Sequence, residues 1–309
     1  MNSKKLKYIL AIAEFKSISK ASNHLFISQP SLSNILSNIE KDLGIQLFDR
    51  TTNPLSLTYA GEIYIETAKK ILSLENNLKK KFSDINNMKK GKITLGIPSV
   101  RGTHILPLIL PKFKDKYPGI EIDVIEGNSN LLEEHLLSGK IDLVVTSLPS
   151  DNKKIICEIL YEEKIRLACK SGYLQSMGVT SNNSNIISLN QLSNIDFILT
   201  QKSHRIRNLS EMLFDAYDFN PKVVFQTSNT ATAFRLATSG LGVCFVSEMI
   251  LSTTKPISDF DLFDIENSPI KWDIAVLYLK NTYLSTVERD FIDLLKDALT
   301  SCPRMLFNR

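Results

Sequence analysis

Gln29, Ser31, Ser33, Asn34, Ser37 and Asn38 are short, polar, uncharged side chains crowded into ten residues. On a helix they occupy the face opposite Leu32, Leu36, Ile39 and Leu43, which repeat at the spacing of a core stripe. A helix surfaced in this way can hydrogen-bond base edges and phosphates from within a major groove. A second group of candidates lies far down the chain: Ser99, Arg101, Gly102 and Thr103; Asn128, Ser129 and Thr146; and Thr200, Gln201, Ser203, His204 and Arg205. Their hydroxyls, amides and guanidinium groups suit the binding of a small anion. Covalent or metal chemistry finds little support. There is no GxSxG, no phosphate-binding loop, no GxGxxG after a strand and no zinc spacing. Cys157, Cys169, Cys244 and Cys302 are far apart, and the four histidines (24, 104, 135, 204) are equally scattered. No catalytic residue, cofactor or metal is expected.

The elements that position the first group are legible in the local pattern. Leu6, Ile9, Leu10 and Ala13 form one face of a helix, and a shorter helix follows Ser17 with Ile18, Ala21 and Leu25 inward. Ser28 can cap a third helix, Pro30 sits harmlessly in its first turn, and Gly44 stops it. Gln46–Phe48 and Leu55–Leu57 are strand candidates around a turn-rich tip, residues 49–54, which places Arg50 within reach of a phosphate. Two short helices, a longer polar-faced helix and a hairpin read as a winged helix-turn-helix. Thr58 then caps a long helix over 59–87. There Tyr64, Ile71, Leu78 and Ile85 recur every seven residues, a seam for pairing with a second copy.

Three stretches carry a family likeness: Ala21-(x)3-Leu25-(x)2-Ser28-Gln29-Pro30-Ser31-x-Ser33; Ile39-Glu40-(x)2-Leu43-Gly44-(x)2-Leu47-Phe48-x-Arg50; and Leu57-Thr58-(x)2-Gly61. Together they resemble the LysR-type transcriptional regulators. The resemblance runs without a gap through residues 4–75. It implies that Gln29, Pro30, Ser31, Ser33, Asn34 and Ser37 face DNA, with Ser28 at the helix start and Arg50 in the wing. Two departures stand out: Asn34 takes the place of a frequent Arg or Gln, and Asn53 stands where family members often carry an Arg or Lys nearby. The third helix carries no basic residue between Ser28 and Glu40, so few phosphate contacts and a shallow salt dependence are expected from it.

Beyond a short polar hinge, strands and helices alternate. Strands are expected at 93–97, 120–124, 141–145, 196–199, 223–226, 243–246 and 272–279, and helices at 103–117, 130–138, 206–217, 230–239 and 284–299. This order implies two similar α/β lobes, Rossmann-like with doubly wound sheets, the last helix returning to the first lobe. The layout, with Gly139-x-Ile141-Asp142 and Ala237-(x)2-Gly240-x-Gly242-Val243, resembles the effector domain of the same family over about 92–300. Ligands in such sheets lie beyond the carboxyl ends of the strands, where the second group of candidates falls.

Charge agrees with this division. Residues 1–92 hold 15 basic and 8 acidic side chains, the rest 22 and 25, so the basic end is the one suited to a polyanion. The apolar run after Lys4, Lys5 and Lys7 is only six residues long and reads as a helix rather than a leader, so a cytoplasmic protein without membrane segments is expected. The expected organisation is a mainly-α winged helix-turn-helix (1–58), a linker and dimerisation helix (59–87), a hinge (88–92), a first α/β lobe (93–161 with 268–309) and a second (162–267). The function this implies is regulation of transcription. The partners would be double-stranded promoter DNA, a small effector such as an organic acid, and further copies of the chain in a dimer or tetramer. The alternative is a cytoplasmic small-molecule-binding protein or enzyme without a DNA function.

Overall fold

The computed structural model describes residues 3–85, 90–148, 150, 152–180, 185–202, 204–268 and 272–301. The chain divides near residue 86 into two units, each with its own core.

The N-terminal unit begins with α1 (Ser3–Phe15), α2 (Ile18–His24) and α3 (Gln29–Leu43). The start and stop signals act as local chemistry dictates. The Ser17 hydroxyl accepts from the Lys20 amide and the Ser28 hydroxyl from the Ser31 amide, while Gly44 closes α3 at φ 69°. Leu6, Ile9, Ile12, Ala21, Leu32 and Leu36 form the core, each fully buried. Leu43 does not join them. It is 49% exposed, because α3 runs past the packed core and spends its last inward turn on Glu40 instead. The short strands β1 (Phe48–Asp49) and β2 (Ser56–Leu57) pair antiparallel as a hairpin. Then α4 (Tyr59–Ile85) starts at Thr58, whose hydroxyl accepts from the Gly61 amide and donates to the Gln46 carbonyl at 2.7 Å. A Cβ on Gly61 would stand 2.0 Å from the Leu47 carbonyl oxygen, so glycine is what lets α4 lie against the hairpin. The last two positions of the expected linker helix, and residues 88 and 89 of the expected hinge, lie outside the described residues.

In the C-terminal unit the first lobe contains β3 (Gly91–Ile97), α5 (Ser99–Lys116), β4 (Ile120–Glu126), α6 (Ser129–Leu137), β5 (Leu143–Ser147) and β6 (Ile155–Glu163). The second contains β7 (Ile165–Lys170), α7 (Tyr173–Ser176), β8 (Ile186–Ile187), β9 (Asp196–Thr200), α8 (Arg205–Ala216), β10 (Lys222–Thr227), α9 (Thr230–Thr238), β11 (Cys244–Ser247), α10 (Glu248–Thr253) and β12 (Phe260–Ile265). The chain then returns through β13 (Trp272–Leu279) and α11 (Thr286–Ser301). The first sheet has the order β4-β3-β5-β13-β6. Its β3, β4 and β5 are parallel, as the alternation of elements requires, whereas β13 runs antiparallel to β5 and β6. The sheets are therefore mixed rather than uniformly parallel. In the second lobe β10 and β9 are parallel, and a bridge from Phe197 to Val243 leads towards the group β11-β7-β12-β8. The helix α11 packs back on the first lobe, the Phe291 ring meeting Phe113 edge-on at 5.0 Å. Lys164 lies between the lobes on the way out, and β13 carries the chain back.

Candidate functional site

On α3 the sequence places Gln29, Pro30, Ser31, Asn34 and Ser37 on the exposed side, with Ser33 half-buried at its margin. Ser28 is exposed too, but its hydroxyl is engaged as the cap. Arg50, the residue expected to reach a phosphate from the wing, is tied to α3. Its Nη2 donates to Glu40 Oε2 at 2.8 Å and lies 3.4 Å from Ser37 Oγ, with the side chain about half exposed. Glu40 is 7% exposed, and its other oxygen accepts from the Leu47 amide at 2.8 Å and the Phe48 amide at 3.3 Å. One buried carboxylate thus fixes the angle between α3 and the hairpin, and Arg50 balances its charge. Glu40 stood in the motif without a role, because its partners are seven to ten residues away. At the tip, Asp49 Oδ1 accepts from the Thr51 amide and hydroxyl, which hold its carboxyl below the usual range.

In the C-terminal unit a cleft of about 460 Å³ opens where the strand ends of the two lobes meet. Of the expected residues, Ser99, Arg101, Asn128, Ser129, His204 and Arg205 line it. Gly102 and Thr103 line a separate, largely apolar groove with Leu106, Pro107, Leu110 and Pro111, because each residue of α5 turns about 100° from the one before, away from the cleft that Arg101 faces. Thr146 is fully buried behind the cleft, its hydroxyl 2.7 Å from that of Ser129. Thr200 is buried, with its carbonyl accepting from Arg207, and Gln201 is exposed outside the lining. Ser203 lies outside the described residues. The wall also includes Ser147, Ser228–Thr230, Ser247, Met249, Ile250 and Trp272, which sequence reasoning missed.

Five helices begin on this wall, α5, α6, α8, α9 and α10. Asn128 caps α6 and Asn229 caps α9 through their side-chain oxygens. The first turns of α5 and α8, after Pro98 and His204, carry no side-chain cap among the described residues. Their amides and helix dipoles favour negative charge. The two arginines do not add free positive charge. Arg101 is 7% exposed and pairs with Glu163 at 3.3 Å, and Glu163 also accepts from the Met249 amide at 2.7 Å. Burial pulls the Arg101 pKa down and Glu163 opposes that shift. Arg205, at the start of α8, pairs across the lobes with Glu133 of α6, which accepts in turn from Ser150 Oγ. Burial also lowers the pKa of His104 and His204.

Among the described residues no cluster of three or more His, Cys, Asp or Glu could hold a metal. Burial pushes the Cys169 thiol up to about 12 and that of Cys244 higher still, so neither is poised as a nucleophile. No helix of the described residues is long and apolar enough to cross a membrane.

Comparison with known proteins gives this geometry a family. Residues 3–62 match the bacterial regulatory helix-turn-helix protein, lysR family, and residues 86–300 match the LysR substrate binding domain. The chain is 28% identical to the uncharacterized HTH-type transcriptional regulator YcgK of Bacillus subtilis, over 97% of this chain and 95% of that one. It is 27% identical to the HTH-type transcriptional activator CmpR of Synechocystis, over 92% and 91%. A full-length cysteine variant of OxyR from Pseudomonas aeruginosa shares the fold at TM-score 0.71 and 19% identity, covering 98% of this chain and 96% of that one. So does full-length CbnR complexed with its target DNA, at TM-score 0.60 and 21% identity over 96% and 100%. The chain belongs to the LysR family of transcriptional regulators, which bind promoter DNA under the control of a small-molecule effector and assemble as oligomers.

Proposed function

We propose that the exposed face of α3, from Ser28 through Gln29, Pro30, Ser31, Ser33 and Asn34 to Ser37, reads base edges in the major groove. In this reading Arg50 reaches a phosphate while it remains tied to Glu40. The observation that carries it is the locked angle between α3 and the hairpin, which presents an uncharged polar face with no competing core contact. Leu74, Leu78, Phe82 and Ile85 of α4 are 50–75% exposed in a single chain, an apolar row suited to pairing with a second copy. Two copies would present two recognition helices to a two-fold symmetric site. The test is Ser33→Ala in gel-shift titrations: specific affinity falls roughly tenfold, the order of one base contact, while affinity for unrelated duplex is unchanged. Equal losses on both duplexes would place the reading face elsewhere.

The cleft takes a small organic anion. The uncapped first turns of α5 and α8 favour negative charge, and Val100, Ile206, Met249 and Ile250 supply an apolar wall. Binding there biases the two lobes between arrangements that hold the operator differently, so the acid must bind those arrangements unequally. The protein acts by binding rather than by catalysis, in the cytoplasm where its DNA is.

A further inference from the structure

Trp272, the only tryptophan in the chain, opens β13 where the chain re-enters the first lobe, opposite Glu163 on β6. It is 5% exposed and lines the cleft, and its indole Nε1 has no hydrogen-bond acceptor among the described residues. A buried donor without an acceptor is costly, and native proteins keep few of them. The indole's neighbours do not serve it. The guanidinium of Arg101 lies 5.7 Å from the ring centroid, and the Glu163 carboxylate is already shared between Arg101 and the Met249 amide.

Resting on the reading of the cleft as an anion site, we propose that Trp272 is a specificity-determining residue whose indole N–H, closed to solvent in this arrangement of the lobes, donates to a second, uncharged oxygen on the effector in the arrangement that the effector favours. The charge pattern sets that chemistry. Glu163 cancels the charge of Arg101, so the neighbourhood of Trp272 offers no net field for a second anion, and a keto, hydroxyl or amide oxygen fits the lone donor. The anionic end belongs at the first turns of α5 and α8, and the body between lies on Val100, Ile206, Met249 and Ile250. The effector class is therefore a small acid with an apolar body and a neutral acceptor. A site built to satisfy such an acceptor discriminates against the analogue lacking it.

The single tryptophan also provides the readout. Full-length protein is titrated with matched acids that differ in one oxygen: phenylpyruvate against 3-phenylpropionate, 4-oxopentanoate against pentanoate, and 4-acetylbenzoate against 4-ethylbenzoate. Binding is followed by calorimetry and by Trp272 emission. At least one oxo acid is expected to shift the emission and to bind about tenfold tighter than its partner. Trp272→Phe, which keeps an aromatic ring and loses the donor, is expected to erase that preference in protein that still folds, as its circular dichroism checks. Acids that bind with no oxo preference, or a preference that survives in Trp272→Phe, overturn the role of Trp272 and leave the anion cleft standing. Failure of every acid to bind protein that still binds DNA overturns the anion cleft and this inference with it.

Discussion

Removing the Glu40 carboxylate should dismantle the wing while the effector domain stays intact. In Glu40→Ala the Leu47 and Phe48 amides lose their acceptor in a buried site, and Arg50 loses its ion pair. Each buried donor left unsatisfied costs about 1–3 kcal/mol. The half-exposed Arg50 pair adds less than about 1 kcal/mol after solvent screening. A destabilisation of about 2–7 kcal/mol is a large share of the ~5–15 kcal/mol that a domain possesses. For a unit of this size it lowers Tm by on the order of 10–50 °C. The two units can be followed separately, because Trp272 reports on the C-terminal unit alone while circular dichroism at 222 nm reports on both. The early part of the dichroism transition should move down, the Trp272 emission transition should stay, and operator affinity should fall at least as far as folding does. Arg50→Ala should cost far less stability, and Glu40→Gln should fall between, since its amide oxygen still accepts. A Glu40→Ala protein that melts and binds DNA like the parent, or an Arg50→Ala protein as unstable as Glu40→Ala, would refute the view that Glu40 holds the hairpin.

Other expectations follow from the same geometry. Gly61→Ala puts a methyl 2.0 Å from the Leu47 carbonyl oxygen, so α4 or the hairpin must shift; a loss of about 1–3 kcal/mol in urea unfolding and weaker operator binding are expected. Burial depresses His104 and His204 below their ordinary value near 6.5, so the unfolded chain takes up these protons first as pH falls. Stability is then fully present above about pH 6.5 and declines below it, a slope in Tm that the double change His104→Gln, His204→Gln should flatten. Glu133→Gln keeps the shape of the interlobe contact but removes the carboxylate that competes for Arg205, so calorimetry should show tighter binding of acids by several-fold, and weaker binding would contradict an anion site there. With its pKa near 12, Cys169 is thiolate in roughly one molecule in ten thousand at pH 8, so native protein should resist iodoacetamide at Cys169 and at Cys244, as mass spectrometry of the peptides can check.

The helix-turn-helix was legible because its punctuation is local. Ser17, Ser28, Gly44 and Thr58 each act within four residues of their own position, with only Thr58 also reaching Gln46. What escaped was non-local. The strands β6, β7 and β12 carry acids and bases that interrupt an apolar pattern, and their partners lie on other elements: Glu158 with Arg289, Glu163 with Arg101, Arg166 with Asp264. The same reason explains the two arginines of the cleft. Arg101 and Arg205 looked like free cations in isolation, and only folding brings Glu163 and Glu133 against them. Half of the cleft's wall followed from the rule that ligands sit beyond strand ends, applied to β3, β4 and β9. The rest, from Ser147, Ser228–Thr230, Ser247, Met249, Ile250 and Trp272, requires knowing that the lobes face one another.

The central claim is that α3 places a regulator on a defined operator and that an acid in the cleft alters that placement. A DNase footprint on the DNA upstream of the protein's own gene and its divergent neighbour, with and without the oxo acids above, tests both halves at once. Protection of an interrupted palindrome is expected, with a pattern that shifts when an acid is added. Protection that no acid alters would contradict the anion cleft, and no protection of either promoter at low salt would contradict the recognition face assigned to α3.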